Sequence, residues 1–353
     1  MTYRAGIIGA GGIAGLGVYG GDPDDIGTDP VEASHAGGYA ATDGVELVAV
    51  ADIDEEQLDV FGTAWEIPKD RRYSSHEEML RTEDLDIVSV CTPSLFHHDH
   101  VLDAVEIGEP AVIWCEKPLA CSVAGGEAMV ETCEAADVEL LVNHSQRFLR
   151  QHQALRAAID SGLLGEVYTA AGATSIELFR VGTHVADLLV YLLDERPATV
   201  SGYISGRNDA AGHLADRRID DAGGGGFFLT DGDTFVTFDG DVPRDAAAWY
   251  CRLTGTDGRL VMDDRGWTWW PHDELGPAQA PTDGYTDAHP DSFALAVEHA
   301  VSLIENEADN VSSGAAALAS LEILVGFFIS HETGGRISVP FPEPLKDVRV
   351  TSW

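Results

Sequence analysis

The first fourteen residues restrict the fold more than any other stretch. Tyr3-Arg4-Ala5-Gly6-Ile7-Ile8 reads as a strand, and Gly9-Ala10-Gly11-Gly12-Ile13-Ala14 follows at once. This is G-x-G-x-x-A directly after a strand and ahead of an expected helix. The first glycine permits a tight turn, the second lets a pyrophosphate approach the backbone, and the small third position lets helix pack on strand. Unpaired N–H groups at the start of such a helix favour an anion. A strand, loop and helix of this kind imply an α/β domain with a doubly wound parallel sheet.

Residues Gly17 to Pro30 are rich in Gly, Asp and Pro and read as an inserted loop, with helical character resuming from Glu32 to Ala41. The next strand, Glu46 to Ala51, ends in Asp52. An acid there is the expected partner of an adenosine ribose hydroxyl. It lies about twice as far from the glycine loop as the usual ~20 residues, which the insertion accounts for. Asp52 and Asp54, with no arginine nearby, favour NAD over NADP.

Strands and helices then alternate. Helices are expected from Glu55 to Trp65, Ser75 to Arg81, Val101 to Ile107 and Ser122 to Ala136, and strands from Asp86 to Cys91 and Glu139 to Val142. Between them, Pro110-Ala111-Val112-Ile113-Trp114-Cys115-Glu116-Lys117-Pro118 is an apolar run ending in an acid, a lysine and a proline. In an open α/β sheet, ligands bind at such strand tips. The chain has three lysines, Lys69, Lys117 and Lys346. A desolvated lysine can act as a base, which arginine cannot; pairing with Glu116 is the plainer role. Thr92-Pro93-Ser94-Leu95-Phe96-His97-His98-Asp99-His100 invites a metal reading, but His98 leaves the face that His97 and His100 share, and no further ligand completes a shell. No metal is expected.

Beyond Asn143 the pattern changes. A helix from Gln151 to Ser161 precedes strand-like runs at Val167 to Thr174, Thr199 to Ser205, Gly226 to Phe238, Ala247 to Thr254 and Arg259 to Met262. An apolar helix carrying Gly182-Thr183-His184-Val185-Ala186-Asp187 lies between the first two, and Asp220 to Gly226 reads as a flexible acidic turn. Helices from Asp291 to Glu305 and Ser313 to Ser330 and a short strand near Ile337 close the chain. Two domains are expected: a dinucleotide-binding Rossmann domain over 1–143, and an α+β domain over 144–353 with a largely antiparallel open sheet, serving substrate binding and oligomerisation.

Sixty acidic residues against twenty-one Lys and Arg leave a formal net charge of −39, spread along a chain that is 44% hydrophobic. Acidity of this kind on a foldable chain suits a surface hydrated in concentrated salt, and it argues against nucleic acid and anionic membranes. Five cysteines without a C-x-x-C pair point away from a disulfide framework or a zinc site. No signal-peptide layout and no apolar run of membrane-span length is read, so a salt-adapted, cytoplasmic protein is expected.

The motifs together resemble the Gfo/Idh/MocA oxidoreductase family, which includes glucose–fructose oxidoreductases and inositol 2-dehydrogenases. The pieces are Gly9-Ala10-Gly11-Gly12-Ile13-Ala14, Val50-Ala51-Asp52, Thr92-Pro93 with His97, Glu116-Lys117-Pro118, Arg147-Phe148, Gly162-Leu163-Leu164-Gly165, Gly182-Thr183-His184 with Asp187, and Ser330-His331-Glu332-Thr333-Gly334-Gly335-Arg336. The resemblance implies an NAD(P)-dependent dehydrogenase acting on a sugar, cyclitol or sugar acid, and an oligomer (dimer or tetramer) built on the C-terminal sheet. It implies a cofactor set of Gly9, Gly11, Gly12, Ile13, Asp52, Thr92, Pro93, His97, Glu116 and Lys117. It also implies catalysis by Lys117 and His184, a cis bond before Pro118, and a substrate set of Lys117, Asn143, Arg147, Arg180, Thr183 and His184. Many relatives carry Asp where this chain has Arg180. Arginine can hold a carboxylate or phosphate in two parallel bonds, which suggests an acidic substrate; pairing with Glu177 or Asp187 is the alternative. Two other functions fit the same motifs: an enzyme that retains NAD for epimerisation, sugar–sugar oxidoreduction or glycoside cleavage, and a non-catalytic NAD-binding sensor.

Overall fold

A computed structural model describes residues 2–16, 30–175, 177–205, 218–220, 222–242, 249–263, 266–272 and 291–351. They form two compact units: Met1–Leu119 with Glu127–Leu149 and Ala288–Gly314, and Ala120–Gly126 with Arg150–Asp287 and Ala315–Trp353. A cut at 143/144 therefore does not describe the units, because the segment after residue 287 returns to the first.

The first unit holds strands β1 (Tyr3–Ile8), β2 (Val45–Ala51), β3 (Arg72–Tyr73), β4 (Ile87–Val90), β5 (Val112–Cys115) and β6 (Glu139–Val142). They make one parallel sheet in the order β3-β2-β1-β4-β5-β6. The order reverses between β1 and β4, the switch point where such sheets bind ligands beyond their strand ends. β4 and β5 are buried along their whole length, as a sheet covered on both faces requires. Helix α1 (His35–Ala41) starts at Ser34, whose hydroxyl accepts from the Gly37 N–H. Helix α2 (Glu55–Ala64) is capped in the same way by Asp54, and α3 (His76–Thr82) by Ser75. Helix α4 (His97–Asp103) runs on through a wider turn over Ala104–Gly108. Helix α5 (Val123–Ala135) leads into β6.

The helix expected directly after the glycine loop does not appear among the described residues. Gly15 and Leu16 close a single helical turn on Gly11 and Gly12, and Leu16 then bridges to Pro30. The expected loop over Gly17 to Pro30 lies, apart from Pro30, outside the described residues.

In the second unit, α6 (Arg150–Asp160), β7 (Val167–Ser175), α7 (Gly182–Leu193) and β8 (Pro197–Ser205) come first. After them come β9 (Arg218–Asp220), β10 (Gly223–Thr230), β11 (Phe235–Val242), β12 (Tyr250–Gly255), β13 (Gly258–Asp263) and β14 (Gly266–Pro271). The first unit's α8 (Asp291–Ile304) intervenes. Then α9 (Gly314–Thr333), β15 (Ile337–Ser338), α10 (Glu343–Lys346) and β16 (Arg349–Thr351) close the chain. An eight-stranded sheet runs β14-β13-β12-β7-β11-β10-β8-β15, antiparallel except where β7 meets β11. β16 and β9 form a separate parallel pair.

Three expectations need correction here. The glycines of 223–226 are strand, not turn. A Cβ at Gly202 would stand 2.5 Å from the Phe327 ring, and one at Gly226 would stand 2.1 Å from the Ser201 carbonyl, so bare backbone lets α9 lie close on the sheet. The run Gly226 to Phe238 is two strands, joined by a hairpin in which Thr230 N–H donates to Thr234 O and Asp233 takes a positive φ. The third concerns α9, which is long and apolar enough to span a membrane by length and composition, with 83% of that span buried inside the protein. It is a core helix, and its Ser320, Glu322 and Ser330 interrupt the apolar run in the sequence. Strand β14, with Trp267, Trp269 and Trp270, was not expected, because Gly and Pro bracket it closely.

Candidate active site

Four strand tips of the parallel sheet carry the sequence-expected cofactor residues. At the first, Gly9 adopts φ +94°, and a Cβ there would stand 2.9 Å from the Thr92 side chain and 3.0 Å from its N, so this turn needs glycine. Among the described residues nothing lies within 4 Å of where a Gly11 Cβ would be, which leaves the backbone open to a bulky anionic group. Gly12 abuts the Leu16 carbonyl, and Ile13 packs against the core while its carbonyl accepts from His35 N–H.

Asp52 ties the second tip to the first. Its Oδ2 accepts from Ala10 N–H at 2.6 Å and its Oδ1 from Asp54 N–H at 2.9 Å. Gln57 Nε2 donates to Ala10 O at 2.8 Å. Because Asp54 caps α2, Asp52 is not committed to that work. The next residue, Ile53, is 91% exposed.

After β4, Thr92 Oγ1 lies 3.0 Å from His100 Nδ1. Pro93 opens a 3-10 turn over Ser94–Phe96. His97 is buried, with Nδ1 2.9 Å from Pro118 O and Nε2 2.8 Å from Thr92 O. Both ring nitrogens are thus engaged by backbone, and His97 clamps the loops that follow β4 and β5. Burial lowers its pKa, and burial brings that of His100 down to about 4. His98 turns instead to Asp99, while His97 and His100 both contact Thr92.

The fourth tip, after β5, is the most elaborate. Glu116 is 5% exposed, and an isolated carboxylate so buried would be costly. Its Oε1 accepts from Asn143 Nδ2 and pairs with His35 Nε2 at 3.1 Å, and its Oε2 accepts from Lys117 N–H at 3.2 Å. Burial pushes its pKa up, but the His35 bond, the Lys117 charge and the Asn143 bond outweigh it, so the group sits below the usual carboxylate range. Lys117 itself is half-buried. The Lys117–Pro118 peptide bond is cis, as the resemblance implied. Arg147 is buried, its Nη1 donating to Val311 O at 3.0 Å.

Arg180, Thr183 and His184 belong to the second unit. Thr183 is buried and His184 half-buried in the first turn of α7, with Asp187 fully buried one turn on. Arg180 Nη1 stands 3.9 Å from Glu177 Oε1, a loose pair. Sequence reasoning missed His35, Ser89 and Tyr39, which stand behind Glu116; a polar pair four residues apart on one buried helix face was the available signal. All five cysteines are buried and outside any disulfide, Cys115 within β5 and Cys91 just beyond β4.

Open backbone at Gly11, the Gly9 turn and an acid at the β2 tip suit an adenine dinucleotide with its pyrophosphate over the glycine loop. Comparison with known proteins agrees. Residues 26–144 match the family model described as "Oxidoreductase family, NAD-binding Rossmann fold" (GFO_IDH_MocA), a stretch that begins after the glycine loop. The chain is 35% identical over 140 residues to the D-apiose dehydrogenase of Paraburkholderia graminis, a match covering 40% of this chain and 36% of that protein. It is 31% identical over 215 residues to the D-glucoside 3-dehydrogenase of Escherichia coli, covering 54% of each. The chain thus spans about a third to a half of the length of these curated relatives. The crystal structure of the WlbA dehydrogenase from Bordetella pertussis in complex with NADH and UDP-GlcNAcA shares the fold, with a TM-score of 0.76 at 20% identity over 97% of this chain and 100% of that one. By its motifs, and by the match over residues 26–144, the chain is similar to the Gfo/Idh/MocA oxidoreductase family.

Proposed function

We propose that this protein is an NAD-dependent dehydrogenase that moves a hydride between nicotinamide and a hydroxyl-bearing carbon of a sugar, cyclitol or sugar acid. The observation that carries the reading is the β5 tip: a half-buried lysine follows a buried, ionised glutamate on the sheet that also bears Gly9 and Asp52. Bound over these tips, the dinucleotide supplies the hydride acceptor. Lys117 takes the proton of the reacting hydroxyl, and Glu116 fixes the backbone from which that lysine extends. Asp52, in a stretch without arginine, supports NAD over NADP through the ribose hydroxyls. His184 enters as a second proton-handling group through its place in the ordered motifs.

The names of the relatives, which are dehydrogenases of apiose, a glucoside and inositol, support the substrate class. Arg180 favours acidic members of it, since a guanidinium can hold a substrate carboxylate in two parallel bonds. An unchanged Michaelis constant for acidic substrates in Arg180→Ala would remove that preference. The acidic surface supports a salt-adapted, cytoplasmic protein, and its second-unit sheet a homo-oligomer. The test is NADH formation from NAD and from NADP with a panel of sugars, cyclitols and sugar acids in concentrated salt. Turnover with NAD, reduced on the order of 10³-fold in Lys117→Ala, is expected. Tight NAD binding with no turnover of any compound would favour a sensor instead.

A further inference from the structure

Behind the β5 tip lies a buried polar chain that the proposed reaction does not itself use. His35 and Tyr39, on the inward face of α1, and Ser89, in the middle of β4, are all essentially inaccessible to solvent. Tyr39 Oη lies 2.7 Å from Ser89 Oγ, Ser89 Oγ 2.9 Å from His35 Nδ1, and His35 Nε2 3.1 Å from Glu116 Oε1. The His35 ring packs against Trp114, at 3.7 Å between centroids, and Phe293, at 5.8 Å. Polar groups in such a place are retained only when each is satisfied, and here the ends determine the middle. Burial raises the Tyr39 pKa, so its phenol keeps its proton and donates to Ser89. The one Ser89 proton then goes to His35 Nδ1, which places the ring proton on Nε2, directed at a carboxylate. Every donor in the chain points towards Glu116.

We propose that His35, with Ser89 and Tyr39 behind it, is a positioning residue that holds Glu116 ionised and fixed, and through Glu116 sets the pose of Lys117 and Asn143. None of the three is placed to touch substrate. The same carboxylate accepts from the Lys117 backbone and the Asn143 amide, so a turn of Glu116 about its side chain would release both. Other ionisable groups near it are Lys117 beside it, His97 from α4, and the Cys91 and Cys115 thiols, which burial keeps protonated. Of all its neighbours, His35 makes the direct side-chain hydrogen bond that does most to lower its pKa.

The proposal rests on the dehydrogenase reading, and one experiment separates the two. With three lysines in the chain, reductive methylation with 13C-formaldehyde yields few lysine signals, and Lys117→Arg identifies the one from Lys117. The shift of that signal against pH, in the cofactor-free protein, carries an inflection when neighbouring Glu116 takes a proton. In the wild type this falls below the ordinary carboxylate range. His35→Leu removes the donor and should move it upward by a unit or more, while kcat falls ~10-fold or more with the Michaelis constant for NAD little changed. His35→Gln, which can accept from Ser89 and donate to Glu116, should restore both. If His35→Leu does not fold, Ser89→Ala carries the same test with a smaller shift. An unmoved inflection in the folded variant, or a lost kcat that His35→Gln does not recover, overturns the proposal. No turnover of any compound by the wild type would instead overturn the dehydrogenase reading and leave the inflection to be judged alone.

Discussion

Asp52 and Glu116 occupy matching places, each next to the last residue of a strand in one parallel sheet, and their surroundings are opposite. Asp52 is half-exposed, bonds to the backbone N–H groups of Ala10 and Asp54, and is followed by a residue that is almost wholly exposed. Glu116 is buried and bonded to a histidine ring, an amide side chain and one N–H. An acid that keeps water on one side can offer an oxygen to a ligand. One whose oxygens are occupied from within organises its neighbours instead. The contrast divides recognition from positioning within a single sheet.

Substitutions can break this contrast in decreasing order of effect. Lys117→Ala should lower turnover on the order of 10³-fold while NAD still binds, measured by steady-state kinetics beside fluorescence titration of NADH. Glu116→Ala leaves the His35 and Asn143 donors buried without an acceptor, so it should destabilise the protein by ~2–4 kcal/mol in urea unfolding. Asp52→Ala, at a solvated site, should cost stability little and weaken NAD roughly 10-fold, with discrimination against NADP reduced.

A smaller effect is the response to acid. Burial holds His97, His100 and His299 below the ordinary imidazole value, His100 at about 4. An unfolded histidine takes its proton near pH ~6.5. The stability these groups contribute is therefore complete above that pH and is lost as pH falls towards the folded values. The urea midpoint should drop between about pH 7 and about pH 5, and less so in His100→Phe. Smallest per residue is the surface charge: screening of −39 should raise the melting temperature as salt is added from low concentration, and a flat response would contradict salt adaptation.

Much of the first unit was legible in the sequence, because fully buried parallel strands are short apolar runs with little to confuse them. Tyr3–Ile8 and Glu139–Val142 carry the same boundaries in the structure. Glu116 and Lys117 were legible because charge ends an apolar run abruptly. His35 was not, since a Gly-, Asp- and Pro-rich insertion separates it in sequence from the glycine loop and a lone histidine on an apolar helix face reads as core. In the second unit, glycine's preference for turns hid β10, where close packing of α9 decides the conformation. Local propensity lost to tertiary contact there, and the Trp-rich β14 escaped for the related reason that its flanks read as breakers.

The most direct test of the division between the two acids compares Asp52→Ala with Glu116→Gln in one pair of assays, NADH affinity and kcat at saturating NAD. The account predicts a crossed result: Asp52→Ala weakens affinity with kcat retained, and Glu116→Gln lowers kcat with affinity retained. If both variants lose affinity and kcat together, or if Glu116→Gln turns over at the wild-type rate, the two tips do not divide the work in this way.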